Sequence, residues 1–286
     1  MGPMKRLRGF TLLELVIVIV ITGIIAGTVA VFFKPAIDSY FDARRRVRLT
    51  DMADTALRRM GREVRVALPN SIRTPNALCF ELLPTSSGGR YRMAADTVTA
   101  NSDSLDTTGA DNRFDVLSPL ATVPSPGDWV VIGNQSTNDV YQGSNRGAVS
   151  AYATPHPVSA ALGSGRLTLA AATQFPAGYD GGRFFIVPNR GGSPATFFIC
   201  DGVGVVGGNG TGTLRRFTRG FNAAYPNACP SGQGDVMATR VSACRFSYDP
   251  NQGATQQSGF IWMDIQLTEG GETVELSYGV HVSNVP

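Results

Sequence analysis

Histidine is scarce in this chain: two among 286 residues, His156 and His281. His156 sits between two prolines and His281 lies in an alternating run near the C-terminus, so neither has an evident catalytic neighbour. No C-x-x-C occurs, and four cysteines with two histidines show no zinc-ligand spacing. Also lacking are G-x-S-x-G, the P-loop and H-E-x-x-H, the marks of common hydrolases, nucleotide-binding proteins and zinc proteases. Gly202-Val-Gly-Val-Val-Gly207 fits G-x-G-x-x-G, but GNGTGTLRRF comes next, a loop and a strand with no helix terminus to hold a pyrophosphate. Asp103, Asp106 and Asp111 share a polar loop that lacks EF-hand spacing, so they read as solvated carboxylates. The chain is therefore read as a non-enzyme, with no catalytic residue, no metal site and no cofactor.

Excess charge is missing too. Lys and Arg total 25 against 22 acids. Three of the cations, Lys5, Arg6 and Arg8, precede Phe10, and without them the count is 25 − 3 = 22 against 22. The basicity belongs to the first nine residues, which argues against nucleic acid as a partner.

The chain is rich instead in one long apolar run. From Phe10 to Phe33 it is apolar or small except for Glu14 and three threonines. About 24 residues suffice to cross a bilayer with some tilt. The basic flank keeps the N-terminus cytoplasmic and exports the chain beyond the span. A secretory signal would have a shorter apolar core ending at a small-residue cleavage site. Here the basic leader ends at Gly9, before the apolar run, so cleavage there would strip the charges and leave the helix on the mature protein.

Gly9 with Phe10-Thr11-Leu12-Leu13-Glu14-Leu15 and a long apolar helix resembles the N-terminus of type IV pilins and type II secretion pseudopilins. The resemblance implies cleavage between Gly9 and Phe10 by a prepilin peptidase, and methylation of the new Phe10 amine. It also implies packing with other pilin subunits on an inner-membrane assembly platform. Glu14 then has a physical role. A carboxylate at mid-bilayer costs about 2.5–3.5 kcal/mol on insertion scales. In a monomer it lies only about 6 Å along the helix from Phe10, near the interface. In a filament the family's logic pairs it with the Phe10 ammonium of a neighbour and sets axial register. The bland alternative is an interfacial glutamate on a plain signal anchor. Gly23 and Gly27 form a G-x-x-x-G pattern that permits close helix packing, and Pro35 is expected to kink or break the helix.

Beyond the span, apolar residues from Ile37 to Leu68 recur at three- and four-residue spacing, an amphipathic stalk helix over 34–69. Asp42–Arg46, Asp54–Arg58 and Arg59–Glu63 sit at i,i+4. Arg44, Arg45, Arg46 and Arg48 form a basic cluster, read either as a solvated face or as a lipid-headgroup or subunit contact.

From residue 70 onward the pattern changes to short alternating runs. Strands are expected at 77–83, 113–117, 128–133, 166–170, 183–187, 196–200, 213–217, 241–248, 259–268 and 273–282, the last three as a meander against the stalk. Segments 84–112 and 133–165 read as surface loops. The expected fold is α+β: leader 1–9, transmembrane helix 10–33, stalk 34–69, and a β-rich extracytoplasmic domain over 70–286. In an exported domain Cys79, Cys200, Cys229 and Cys244 are disulfide candidates with three connectivities. A local Cys229–Cys244 pair with a long-range Cys79–Cys200 pair is favoured.

Stretches 54–73, 80–92, 126–134, 241–250 and 278–286 further resemble MshO-type minor pilins of the MSHA pilus system. The rival readings are a type II secretion pseudopilin, a signal-anchored extracytoplasmic enzyme or binding protein, and a DNA-binding pilin whose only support is the arginine cluster.

Overall fold

The computed structural model describes residues 10–176, 181–250 and 258–285. The chain divides into two compact units, residues 1–48 and 49–286. It is α+β: a long N-terminal helix, apolar in its first half, and then antiparallel β-sheet.

Helix α1 spans Leu12–Arg65 and contains Pro35. Of the kink or break expected at Pro35, the break does not occur. A proline removes one donor from the i→i−4 ladder, and the helix-forming residues on both sides carry the ladder through. The expected stalk end at 69 also moves. Past Arg65 the backbone turns to β pairing, with Ala67 bridged to Pro84 and the Leu68 N–H donating to the Leu83 carbonyl at 2.7 Å.

The strands succeed one another along the chain. β1 (Arg73–Asn76) and β2 (Cys79–Leu82) form a hairpin. β3 (Ser87–Arg90), β4 (Asp111–Val116) and β5 (Trp129–Val131) lead to the short helix α2 (Asp139–Gln142). Then come β6 (Arg146–Ala153), β7 (Gly165–Thr173), β8 (Arg183–Val187) and β9 (Ala195–Asp201). A small hairpin, β10 (Val205–Val206) with β11 (Asn209–Gly210), precedes β12 (Gly212–Arg219). β13 (Asp235–Asp249), β14 (Ser258–Glu269) and β15 (Glu272–Ser283) finish the chain as a meander.

One sheet has seven strands in the order β1-β2-β9-β12-β13-β14-β15, and another has six in the order β3-β8-β5-β6-β7-β4. The six-stranded sheet is inserted between β2 and β9. Its outer strands meet through the Tyr91–Val116 bridge, and the Arg92 N–H donates to the Asp115 carbonyl at 3.0 Å. The sheet therefore curls around its own core of Phe114, Val130, Ile132, Leu167, Phe184 and Ile186.

In unit 49–286, the end of α1 lies on the seven-stranded sheet. Leu49, Ala53, Ala56, Leu57, Met60 and Val64 recur every three or four residues and pack with Phe80, Phe198, Ile261, Met263, Ile265 and Val280. That periodicity is what a helix needs to present one apolar face. Gly61 permits the close approach: a Cβ there would lie 2.5 Å from the Tyr278 ring.

The ten expected strands all occur, several of them longer. β13 starts at Asp235 rather than 241. β1, β3, β6 and the β10–β11 hairpin fall outside the expected set. β6 and β3 lie inside segments read as loops, because their Gly, Ala and Ser residues alternate in burial without alternating in hydropathy.

Candidate assembly segment and the β domain

Phe10 is 81 % exposed and Glu14 is exposed on the first turn of α1. Thr11 precedes the helix, and its Oγ1 accepts the Glu14 N–H at 3.2 Å. This is the Thr half of an S/T-x-x-E capping arrangement, with the acid of the motif in the first turn, where the helix dipole favours negative charge. The spacing that marks the processing motif thus also starts the helix. Thr11 belongs to the motif that the sequence singles out, but its role as helix cap is not read there, although the T-x-x-E pattern is a signal that could have found it. Gly9 lies outside the described residues.

The apolar residues from Leu15 to Phe33 are all exposed, and an 18-residue window reaches a mean hydropathy of 2.9. Around Gly23 and Gly27 nothing lies within 4 Å of an added Cβ, so that face is open to another helix or to lipid. Thr28 turns its hydroxyl to the Ile25 carbonyl at 2.8 Å, satisfying it within the helix. In the basic stretch, Arg45 pairs with Asp42 at 2.7 Å, and Arg44 lies over the Tyr40 ring at 5.6 Å.

The expected disulfide pairing is wrong. Cys79 joins Cys229, and Cys200 joins Cys244. Side-chain alternation decides it. Cys79 stands opposite Ile199 in the β2–β9 register, so Cys79 and Cys200 point to opposite faces of the sheet. Cys79 shares one face with Phe197, Ile199, Phe217 and Cys229, while Cys200 joins the core against α1. β12 begins at Gly212, so β13 runs past it and Cys244 reaches Cys200.

Several charged groups are buried. Glu81 is fully enclosed and receives Arg219 in a bidentate pair at 2.8 and 3.0 Å. Burial pushes its carboxyl above the usual range, with Arg219 and Arg73 pulling the other way. Arg73 is also fully buried, 3.3 Å from the Tyr141 ring centroid, and donates to Asn138 Oδ1 and to the Asn222 carbonyl. Burial lowers its pKa. These residues pin the loop after β12 to the sheet. Asp54–Arg58 pairs at 2.7 Å as expected, but Glu63 is met chiefly by Arg216, at 2.8 and 2.9 Å, with Arg59 at 3.8 Å.

His156 does have a carboxylate partner, Asp115, 2.8 Å away. Its Nδ1 accepts the Val158 and Ser159 N–H groups, both at 3.2 Å, so Nε2 is the donor. Both ring nitrogens are engaged in holding a turn, and neither is open to a substrate. Asp103 pairs with Arg113 and Arg166, while Asp106 and Asp111 accept backbone N–H groups of their own loop. Gly202–Gly207 runs from the end of β9 into the β10–β11 hairpin, whose turn is Gly207-Gly208 with positive φ at both. It is a turn between strands.

Residues 4–30 match the prokaryotic N-terminal methylation motif. That match, at the head of the apolar helix and the β domain, supports a type IV pilin-like protein. No curated protein and no solved structure matches the chain.

Proposed function

We propose that the chain is a minor pilin, processed between Gly9 and Phe10 and assembled into, or priming, a type IV pilus of the MSHA kind. The observation that carries the reading is the run from Gly9 to Glu14 at the head of an uncovered apolar helix, with Thr11 capping it. Removal of residues 1–9 leaves Phe10 with a free ammonium one turn from Glu14. In a packed bundle that ammonium is the natural partner for the Glu14 of a neighbour, since an intramembrane carboxylate requires one. The stored form spans the inner membrane once, with Lys5, Arg6 and Arg8 holding the N-terminus in the cytoplasm. Its partners are the prepilin peptidase, other pilin subunits, the assembly platform and the bilayer. The large β domain and its long loops exceed what a repeating subunit needs, which motivates a minor position. Support for the MSHA system comes from the resemblance of residues 54–73, 80–92, 126–134, 241–250 and 278–286.

The test is the intact mass of membrane-extracted protein from cells with and without prepilin peptidase. A chain starting at methylated Phe10 only where the peptidase is present is the expected result. A leader retained in both strains would falsify the assignment. Deletion then separates the machines: loss of pili fits the proposal, whereas loss of secretion with pili intact makes the chain a type II secretion pseudopilin.

A further inference from the structure

Arg90 on β3 and Arg183 on β8 stand directly opposite each other in the antiparallel register. Residues so paired project from the same face about 4.5–5.5 Å apart at Cβ, and like charges there repel. Both are exposed, and among the described residues neither side chain has an ion pair or hydrogen bond. Several other arginines of the domain are met by acids, Arg216 by Glu63, Arg219 by Glu81, Arg166 by Asp115 and Arg92 by Asp96, while Arg146 is held by backbone carbonyls. Among the described residues no acid offsets the repulsion between Arg90 and Arg183.

The same face carries a second feature. Gly88 stands opposite Phe185, two positions from the arginine pair. A Cβ on Gly88 would come within 3.2 Å of the Phe185 ring, which packs in part on the Leu83, Val131 and Val187 cluster and with its remaining, half-buried surface lines the groove. Ser118, Ser283 and Val285 complete a groove of about 400 Å³ around the two arginines and the ring.

We propose that this groove docks an acidic segment of a partner protein, its carboxylates on Arg90 and Arg183 and a neighbouring apolar side chain against Phe185. Guanidinium groups bind carboxylates through paired N–H donors. A free inorganic anion would use the arginines and leave the apolar half idle, so the ring is what favours a peptide. The inference does not depend on which machine the chain serves.

The test uses the full chain in detergent and fluorescence anisotropy of a labelled Glu-Val-Glu-Val-Glu peptide. A Gln-Val-Gln-Val-Gln peptide is the control, and inorganic phosphate the competitor. The peptide is expected to bind at least tenfold more tightly than its control and than phosphate. Arg90→Gln/Arg183→Gln should weaken it tenfold or more, and Phe185→Leu severalfold. Arg183→Gln alone should unfold at the same or a higher temperature than the parent, since it relieves the repulsion. Equal binding of the control, binding that survives the double substitution, or phosphate binding as tight as the peptide would each overturn the proposal. So would a lower melting temperature for Arg183→Gln, which would give the pair a role in holding the fold.

Discussion

His156 Nε2 lies 2.8 Å from Asp115 Oδ1, and both side chains are fully withdrawn from solvent. Arg166 Nε reaches the same oxygen at 2.8 Å, and Arg92 Nε is 3.4 Å from Oδ2. One carboxylate thus joins β4, β7 and the turn after β6, and the curled six-stranded sheet is organised around it.

Asp115→Asn should therefore cost about 3–5 kcal/mol at neutral pH, because buried cations lose their counter-charge. Burial alone would raise the Asp115 carboxyl, but Arg166, the Asp103 N–H and His156 outweigh it and hold it below the ordinary value of 3.8. A depressed folded pKa contributes stability that is complete above the unfolded value and lost as pH falls through the folded one. Denaturant midpoints of parent and variant should accordingly converge below about pH 4. A gap independent of pH would show that the carboxylate charge is not what matters.

The two disulfides close loops of 150 and 44 residues. By chain entropy they contribute about 5 and about 4 kcal/mol. Cys79→Ser/Cys229→Ser and Cys200→Ser/Cys244→Ser should each lower the urea midpoint by a corresponding amount. Mass mapping of a non-reducing digest should recover 79–229 and 200–244 peptides, and recovery of a 229–244 pair would refute this connectivity.

Gly61→Leu should destabilise the domain by about 1–3 kcal/mol, the usual cost of overpacking, although leucine is the better helix former. The cause is the Tyr278 ring, 2.5 Å from where a Cβ would stand. Pairing the substitution with Tyr278→Ala should recover part of the loss in a double-mutant cycle. Full additivity would mean that the ring is not the obstacle.

Glu14→Leu should leave membrane insertion intact, since it removes a polar group from the span. Leader removal should continue while incorporation into filaments drops severalfold or more. Quantitative blotting of sheared filaments against total membranes reads both. Unchanged incorporation would leave the carboxylate without an assembly role.

Much of the N-terminal segment was legible because its chemistry is local. A membrane span is a matter of length and polarity, and a leader with Gly9, Phe10, Thr11 and Glu14 needs only adjacency. Even Thr11 as helix cap lay within reach, three residues before Glu14. The strands with strong alternation were legible for the same reason, whereas β6, built of Gly, Ala, Ser, Val and Tyr, was not. Asp115 lies 41 residues from His156, Arg219 lies 138 from Glu81 and Ala224 lies 151 from Arg73, and no local pattern announces these partners.

The sequence by itself determined that an apolar helix with a processing motif precedes an antiparallel β domain, because hydropathy period and motif spacing act over a few residues at a time. Only the tertiary structure decided the cysteine pairing, the insertion of the six-stranded sheet, and the opposition of Arg90 and Arg183. The insertion depends on which distant strands pair, and the other two depend on strand register, where a one-residue change sends every side chain to the other face.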